Sequence, residues 1–275
     1  MDSTDASATV LFSSRKNKVI AGTVTLVALA LFSLLFYSIA IAPSKQPYRD
    51  ARAQYENVYN ANVNLIKLGG SINASGATDD AFTKSTEALK AALKVLAAEN
   101  EALARYDVLK SGEGGAAYEA FSKKLGEYMA FNNDMVISMQ KVRPVIFACS
   151  AKMSLVDNDS SNTRGAEEMR SCALGLSALT DIPNEQYGVY ASDAAAQYEA
   201  VAQNFEKRLS LETIEFAEGV DPKKALDNER DDIVEQLSMI GAVFAKDLNT
   251  AKAKVDITNA SMTLDDYLSK KSGLF

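Results

Sequence analysis

The chain has 275 residues, a formal net charge of −7, and neither histidine nor tryptophan. The missing histidine excludes Ser-His-Asp and Cys-His catalysis and histidine-ligated zinc, and two cysteines are too few for a zinc site built from cysteine. Because phosphate binding depends on lysine and arginine, an acidic chain is a poor candidate for binding nucleic acid. Composition therefore indicates no cofactor, and it argues against an enzyme.

The first feature along the chain is an uncharged apolar run at residues 19–42, VIAGTVTLVALALFSLLFYSIAIA. As a helix it would extend roughly 36 Å, enough to cross a hydrocarbon core of about 30 Å. The run is longer than the core of a cleavable signal peptide, which has about 7–15 residues. Ala40-Ile41-Ala42 has the form of a cleavage site, but Pro43 would follow the cut. We therefore expect an uncleaved signal anchor, with cleavage as the alternative.

The charges on either side of this run leave its orientation nearly balanced. Three basic residues precede it within residues 1–18, and three follow it within residues 43–52. The basic residues before the run are closer to it, and a long domain can translocate regardless of its charge. We therefore expect residues 1–18 to be a short cytoplasmic tail, residues 19–42 a single transmembrane anchor, and residues 43–275 a domain outside the membrane.

After the anchor the chain reads as a series of amphipathic helices. Gly69-Gly70 is a stop signal that we expect to end a first helix begun at Tyr48. Thr78 can cap a second helix, in which apolar residues recur every seven positions and so form one packing face. This stripe is Phe82, Leu89, Leu96 and Leu103.

Glycine and proline divide the remaining chain into further helices. Pro144 should kink or interrupt the third helix, because proline lacks a backbone N–H and its ring clashes with the preceding turn. Asp221 and Pro222 open the last long helix well, since aspartate caps and proline fits the first helical position. The third to sixth helices and a final short turn are predicted at about residues 116–155, 166–179, 185–217, 221–255 and 263–268.

No stretch outside the anchor shows the alternating, β-branched pattern of a strand. We therefore predict an all-α fold, with one N-terminal transmembrane helix followed by an antiparallel bundle of five or six helices. The predicted inward face of the fifth helix carries Tyr187, Tyr190 and Tyr198. Aromatic residues at this spacing are typical of a core, although they could also line a pocket between helices.

Cys149 and Cys172 are the two cysteines of the chain. If the domain lies outside the membrane, we expect them to form a disulfide that ties the end of the third helix to the next short helix. Closing a loop of this length contributes roughly 3.4 kcal/mol in the chain-entropy model. The alternative is two buried free thiols in a reducing compartment.

Between the cysteines lies a candidate calcium loop. Asp157, Asp159, Ser161 and Thr163 alternate along the chain, and Glu168 is twelfth, which partly resembles an EF-hand loop. Asparagine replaces the glycine usual at position six, and arginine stands at position eight. The competing interpretation is a solvated acidic loop in which Thr163 caps a helix.

Three short motifs occur in the order used by penicillin-binding proteins and β-lactamases. They are Ser138-x-x-Lys141, Ser160-Ser161-Asn162 and Lys271-Ser272-Gly273. In those enzymes the Lys-Ser/Thr-Gly segment lies on a sheet strand beside the nucleophile, whereas no strand is predicted here. We therefore do not expect this chemistry.

The sequence thus predicts a membrane-anchored, non-catalytic interaction module, with the membrane and another envelope or surface protein as its partners. The first alternative is a ligand-binding bundle acting through a partner, similar in plan to the extracytoplasmic parts of chemoreceptors. The second alternative is an envelope enzyme. An interaction module requires an exposed apolar or aromatic patch and no deep polar pocket. A ligand-binding bundle requires a pocket near Tyr187 and Tyr190, and an enzyme requires convergent polar groups with perturbed pKa values.

Overall fold

The computed structural model describes residues 42–74, 79–150, 152, 158–211, 219 and 221–273. The predicted tail, the predicted anchor up to residue 41, the predicted cap Thr78 and the candidate ligand Asp157 lie outside these residues. Within the described ranges the chain forms seven α-helices and a 3₁₀ turn between the second and third of them. The elements are α1 (Ala42–Ala74), α2 (Asp79–Leu103), the 3₁₀ turn (Asp107–Leu109), α3 (Gly112–Ser150), α4 (Asp159–Ser177), α5 (Glu185–Leu209), α6 (Pro222–Lys254) and α7 (Thr258–Ser272).

These elements confirm the all-α class. The predicted final short turn is a full helix, α7, of 15 residues. None of the described helices combines the length and the apolar character that crossing a bilayer requires.

The prediction that Gly69-Gly70 ends the first helix is wrong, because α1 begins at Ala42 and continues through both glycines to Ala74. Neither glycine has a positive φ, and a Cβ at either position would meet no atom within 4 Å. Glycine in a helix interior costs about 1 kcal/mol relative to alanine. The packing of a 33-residue helix against its neighbours offsets this cost.

Pro144 is predicted to kink or interrupt the third helix, and the predicted interruption is wrong, since α3 runs from Gly112 to Ser150. Tertiary contacts hold the helix on both sides of the proline. The Arg143 guanidinium lies 4.2 Å from the centroid of the Phe82 ring on α2. Contacts of this kind stabilise a helix that local propensity alone would end.

α4 begins at Asp159, inside the stretch predicted to be a polar loop. Its first turn is closed by a capping box, in which the Asn158 side chain accepts a hydrogen bond from the Ser161 backbone and the Ser161 hydroxyl accepts one from the Asn158 backbone. Two otherwise unpaired backbone donors are satisfied in this way.

The Asp221-Pro222 helix start is confirmed. The Asp221 side chain accepts hydrogen bonds from the backbone N–H groups of Lys223 and Lys224, and Pro222 is the first residue of α6.

The C-terminal helix α7 packs against the beginning of α1. Arg52 donates a hydrogen bond to the Ser269 hydroxyl at 2.9 Å, and the Tyr55 hydroxyl donates to the Ser261 carbonyl at 2.9 Å. The Tyr55 ring also meets Phe121 of α3 edge to face, with centroids 5.8 Å apart. α1, α7 and the N-terminal half of α3 therefore form one packed group.

One cluster of buried apolar side chains includes residues of every α-helix. The predicted stripe of α2 and most of the predicted inward face of α5 are buried, as expected. α6 differs, because Leu226 and Ile233 are the only buried ones among its described residues. α6 therefore lies at the edge of the bundle. The buried members of the α2 and α5 stripes are Phe82, Leu89, Leu96, Leu103, Tyr187, Ala194, Tyr198, Val201 and Phe205.

Candidate binding sites

Cys149 of α3 and Cys172 of α4 lie within disulfide distance, as predicted. Their Cα atoms are 5.7 Å apart, the two residues are joined as a disulfide, and both are buried. The bridge fixes the end of α3 to the middle of α4.

The candidate calcium loop is a helix instead of a loop. Asp159, Ser161 and Thr163 occupy the first turns of α4, where a 3.6-residue period spreads alternate side chains around the axis. The Thr163 hydroxyl donates to the Asp159 carbonyl at 3.0 Å, so it does not cap the helix. Glu168 pairs with Arg164 at 2.7 Å. Within the described ranges, no group of three or more histidine, cysteine or acidic residues could hold a metal ion.

Ser138 and Lys141 stabilise the turn between α4 and α5. The Ser138 hydroxyl is fully buried and accepts a hydrogen bond from the Asn184 backbone at 2.9 Å. The Lys141 ammonium donates to the carbonyls of Thr180 and Asp181 at 2.9 and 2.8 Å. Asp181 has a φ of 53°, a left-handed conformation that costs energy outside glycine. These two side chains thus hold a strained turn, which accounts for their presence without nucleophilic chemistry.

Tyr187 and Tyr190 of α5 both contact Phe244 of α6. The Tyr187 ring meets Phe244 edge to face at 4.8 Å, and the Tyr190 ring stacks on it at 4.6 Å. Burial raises the pKa of Tyr187 to about 12 and also raises the pKa of Tyr190. Two openings adjoin this aromatic group, one lined by Tyr187 and the other by Tyr190 and Phe244.

The opening on the Tyr190 side is a surface cleft of about 300 Å³, which we call the α5–α6 groove. Its apolar part combines the stacked Tyr190 and Phe244 with Val189 and Val243, which are 55% and 57% exposed. Its lining residues are Glu185, Gln186, Val189, Tyr190, Asp193, Ile240, Val243, Phe244, Asp247, Thr250, Ala251 and Lys254.

The charged residues of the α5–α6 groove are mostly acidic. Glu185, Asp193 and Asp247 contribute carboxylates, and Lys254 is the one amine in the lining described by the structure. None of the three carboxylates forms an ion pair with another described residue. The groove therefore combines apolar side chains with a net negative lining, and we call its three carboxylates the negative rim.

The opening on the Tyr187 side is the central cavity, a space of about 240 Å³ where α1, α2, α3, α5 and α6 meet. Most of its wall is apolar, and two methionines contribute to it. Methionine side chains are flexible and adapt to irregular contents. The larger apolar residues that line it are Leu65, Ile66, Leu89, Met135, Met139 and Leu248.

Three buried polar side chains also line the central cavity. The Tyr187 hydroxyl has no hydrogen-bond partner among the described residues. The Asn132 side-chain amide donates to the Tyr128 carbonyl at 2.8 Å. Burial raises the pKa of the Tyr128 hydroxyl. Buried polar groups without a protein partner are normally satisfied by water or by a bound molecule.

The mouth of the central cavity lies between α1 and α6. Gly70, Asn249 and Lys252 line it and are exposed. A second space of about 360 Å³ is adjacent to the cavity, since Ile66, Tyr128, Asn249 and Lys252 line both. The second space lies within the range of about 300–1,000 Å³ that is typical of ligand sites, and the central cavity is slightly smaller than that range.

The chain matches no family model, no curated protein and no solved structure. Sequence reasoning identified Tyr187 and Tyr190 as candidate pocket residues, and both line openings. It missed Asn132 and the cavity-lining role of Gly69-Gly70. The residues that follow the two glycines, SINASGAT, carry no helical periodicity, so no local signal in the sequence indicated this role.

Proposed function

We propose that this protein is a non-catalytic module that binds another envelope or surface protein through the α5–α6 groove. The observation that supports this proposal is that the exposed Val189 and Val243 line the same groove as the stacked rings of Tyr190 and Phe244. Exposed apolar side chains scattered singly are ordinary, whereas a set collected in one cleft with a polar rim is typical of an interaction site.

The charge of the rim defines the chemistry of the partner. Three carboxylates against Lys254 favour a segment that carries lysine or arginine beside its apolar side chains, and they repel an acidic segment. An amphipathic helix laid between α5 and α6 would present apolar anchors three or four residues apart. The partner segment is therefore basic and amphipathic.

We place this module outside the cytoplasmic membrane, held by the apolar run at residues 19–42. The length of that run and its lack of charge support an anchor. The buried cysteine pair at disulfide distance supports an oxidising compartment. Thiol labelling of intact cells, with and without reductant, tests this location. Free thiols that are protected in intact cells and react only after lysis would contradict a location outside the membrane.

Site-specific photo-crosslinking of the full-length protein in living cells tests the groove. A photoreactive residue at Val243 should give a discrete protein adduct, and one at Leu174 should not. Leu174 is the matched control, because it is an apolar residue of α4 that is 64% exposed and lies outside the groove. Combining Asp193→Asn with Asp247→Asn should weaken the adduct, since two charges of the rim are lost. Equal adducts at both positions, or an adduct indifferent to these neutralisations, would contradict the proposal.

A ligand-binding bundle that acts through a partner is the second candidate function. It is favoured by the central cavity, where apolar walls surround a small number of buried polar groups. This combination is typical of small-molecule sites. A ligand that binds the folded chain but not the unfolded chain raises the stability of the protein by about 2.7 kcal/mol when its concentration is a hundred times its Kd. A thermal shift assay would detect this change.

A further inference from the structure

We propose that the central cavity binds a small monocarboxylic acid with an apolar body and a hydrogen-bonding group at its far end. In this arrangement the carboxylate lies at Lys252, the body lies against the apolar wall, and the far end meets the Tyr187 hydroxyl. The inference rests on the second candidate function, ligand binding, and it is independent of the α5–α6 groove.

The apolar body follows from the wall and the volume of the cavity. Leu65, Met139 and Leu248, from three different helices, all line the space. A volume of about 240 Å³ equals roughly eight water molecules in the liquid. An aromatic ring or a short aliphatic chain fits such a space. Its binding would replace the poorly hydrated apolar surface of the cavity wall with direct contacts between wall and ligand.

The carboxylate follows from the charge at the mouth. Lys252 is the one charged residue among the described residues that line the central cavity. It is exposed, so its ammonium can reach an anion at the mouth without losing its own hydration. Asp256, four residues further along, lines the adjacent space instead of the cavity itself. Its charge disfavours an anion there and leaves Lys252 as the position for the carboxylate.

The hydrogen-bonding group follows from Tyr187. Tyr187 is a buried residue that lines the cavity, and its hydroxyl has no hydrogen-bond partner among the described residues, so it is available to a molecule in the cavity. Because burial raises the pKa of Tyr187 to about 12, the hydroxyl stays protonated at neutral pH and can donate. The cavity therefore carries a cation at its mouth and a neutral donor inside.

Gly69 and Gly70 line the same space without side chains. A Cβ at either position would meet no atom within 4 Å. A large residue at Gly70 can therefore occupy the mouth without disturbing α1. Gly126 of α3 offers a matched control, since it is equally open and does not line the cavity.

Three probes separate the contribution of the carboxylate from that of the hydroxyl group. Calorimetry measures their affinities for the purified full-length chain, with a blank titration into buffer or micelles. They are 4-hydroxyphenylacetate, its amide, and phenylacetate. We expect 4-hydroxyphenylacetate to bind saturably. The amide should bind about tenfold more weakly because the charge is lost, and phenylacetate about fivefold more weakly because one neutral hydrogen bond is lost.

Four variants assign these effects to residues. Lys252→Gln should remove the preference for the acid over the amide, and Tyr187→Phe should remove the preference for the hydroxylated probe. Gly70→Leu should abolish binding of all three probes, whereas Gly126→Leu should leave it unchanged. Lys252 and Gly70 are exposed, so these two variants do not depend on repacking the core.

Two outcomes would overturn the inference in distinguishable ways. Equal affinity for the acid and the amide, with both lost in Gly70→Leu, overturns the carboxylate class but supports ligand binding in the cavity. No saturable binding by any probe, or binding indifferent to Gly70→Leu, overturns the ligand class together with the ligand-binding function of this cavity.

Discussion

Replacing Arg208 with methionine should loosen the start of α6 from α5. Arg208 is buried on α5, where its Nε donates to the Asn204 side-chain oxygen at 3.1 Å and one Nη donates to the Asp227 carboxylate at 2.8 Å. Asn204 in turn donates to the Leu226 carbonyl at 2.9 Å. Because α6 buries few apolar side chains, we expect this polar network to be a main attachment of the helix.

We expect Arg208→Met to lower the free energy of unfolding by about 2–4 kcal/mol. Removing one partner of a fully buried ion pair costs about 3–5 kcal/mol. The Asp227 side chain is 40% exposed, so water recovers part of the loss. Methionine keeps much of the volume of arginine, which limits any contribution from a cavity. The matched control is Arg164→Met, which breaks an exposed pair on α4 and should change stability by about 0.5 kcal/mol or less.

Urea unfolding of the full-length chain, followed by far-UV circular dichroism, measures both changes. Hydrogen exchange should show lost protection concentrated at the start of α6, with α2 and α3 unchanged. A double-mutant cycle with Asp227→Asn should give a coupling energy of about 1–3 kcal/mol. An Arg208→Met variant as stable as the wild type, or additive effects in the cycle, would refute the idea that this pair attaches α6.

Three further predictions concern two glycines, the ionisation of Tyr187, and the disulfide. Gly165→Ala should destabilise the fold by about 1–3 kcal/mol, because a Cβ there would lie 2.9 Å from the buried Phe205 ring. Gly126→Ala should instead stabilise the fold by about 0.5–1 kcal/mol. Urea midpoints that move in the same direction for both variants would contradict this pair of predictions. Between pH 10 and about 12 the wild type should lose stability, since Tyr187 keeps its proton in the fold while unfolded tyrosine ionises. The contribution of Tyr187 to the free energy of unfolding is fully present below pH 10. From pH 10 to about 12 the Tyr187→Phe variant should lose roughly 2–3 kcal/mol less stability than the wild type. Identical pH profiles of the two proteins would argue against this role of Tyr187. Cys172→Ser should lower stability by about 2–4 kcal/mol and abolish the effect of reductant, and a reductant effect that persists in the variant would rule out the disulfide as its source.

The regular elements of this protein were largely predictable because they depend on local chemistry. Leu89 and Leu96 are buried where their seven-residue spacing places them, and Asp221 caps α6 as its residue type predicts. Helical periodicity and end caps act within one or two turns of a single helix, so they can be read along the chain.

Two failures occur where contacts between helices outweigh local preference. Gly69-Gly70 and Pro144 are helix-breaking signals, yet α1 and α3 continue through them. For these residues the local penalty is small beside the packing of a long helix. The start of α4 at Asp159 is a different failure, because a local capping box between Asn158 and Ser161 forms in a stretch that resembles a loop.

For the candidate sites, too, some features were predictable from the sequence and others depend on the tertiary structure. Sequence alone determined the helical class, the inward position of Tyr187 and the pairing expected of the only two cysteines. Tertiary structure alone decided that Tyr187 and Tyr190 both contact Phe244 but line different openings, that two glycines border an open space, and that Lys252 lines the same space. The physical reason is that five helices distant in sequence enclose the cavity, so its shape and polarity depend on how they cross and are not encoded in the periodicity of any one of them.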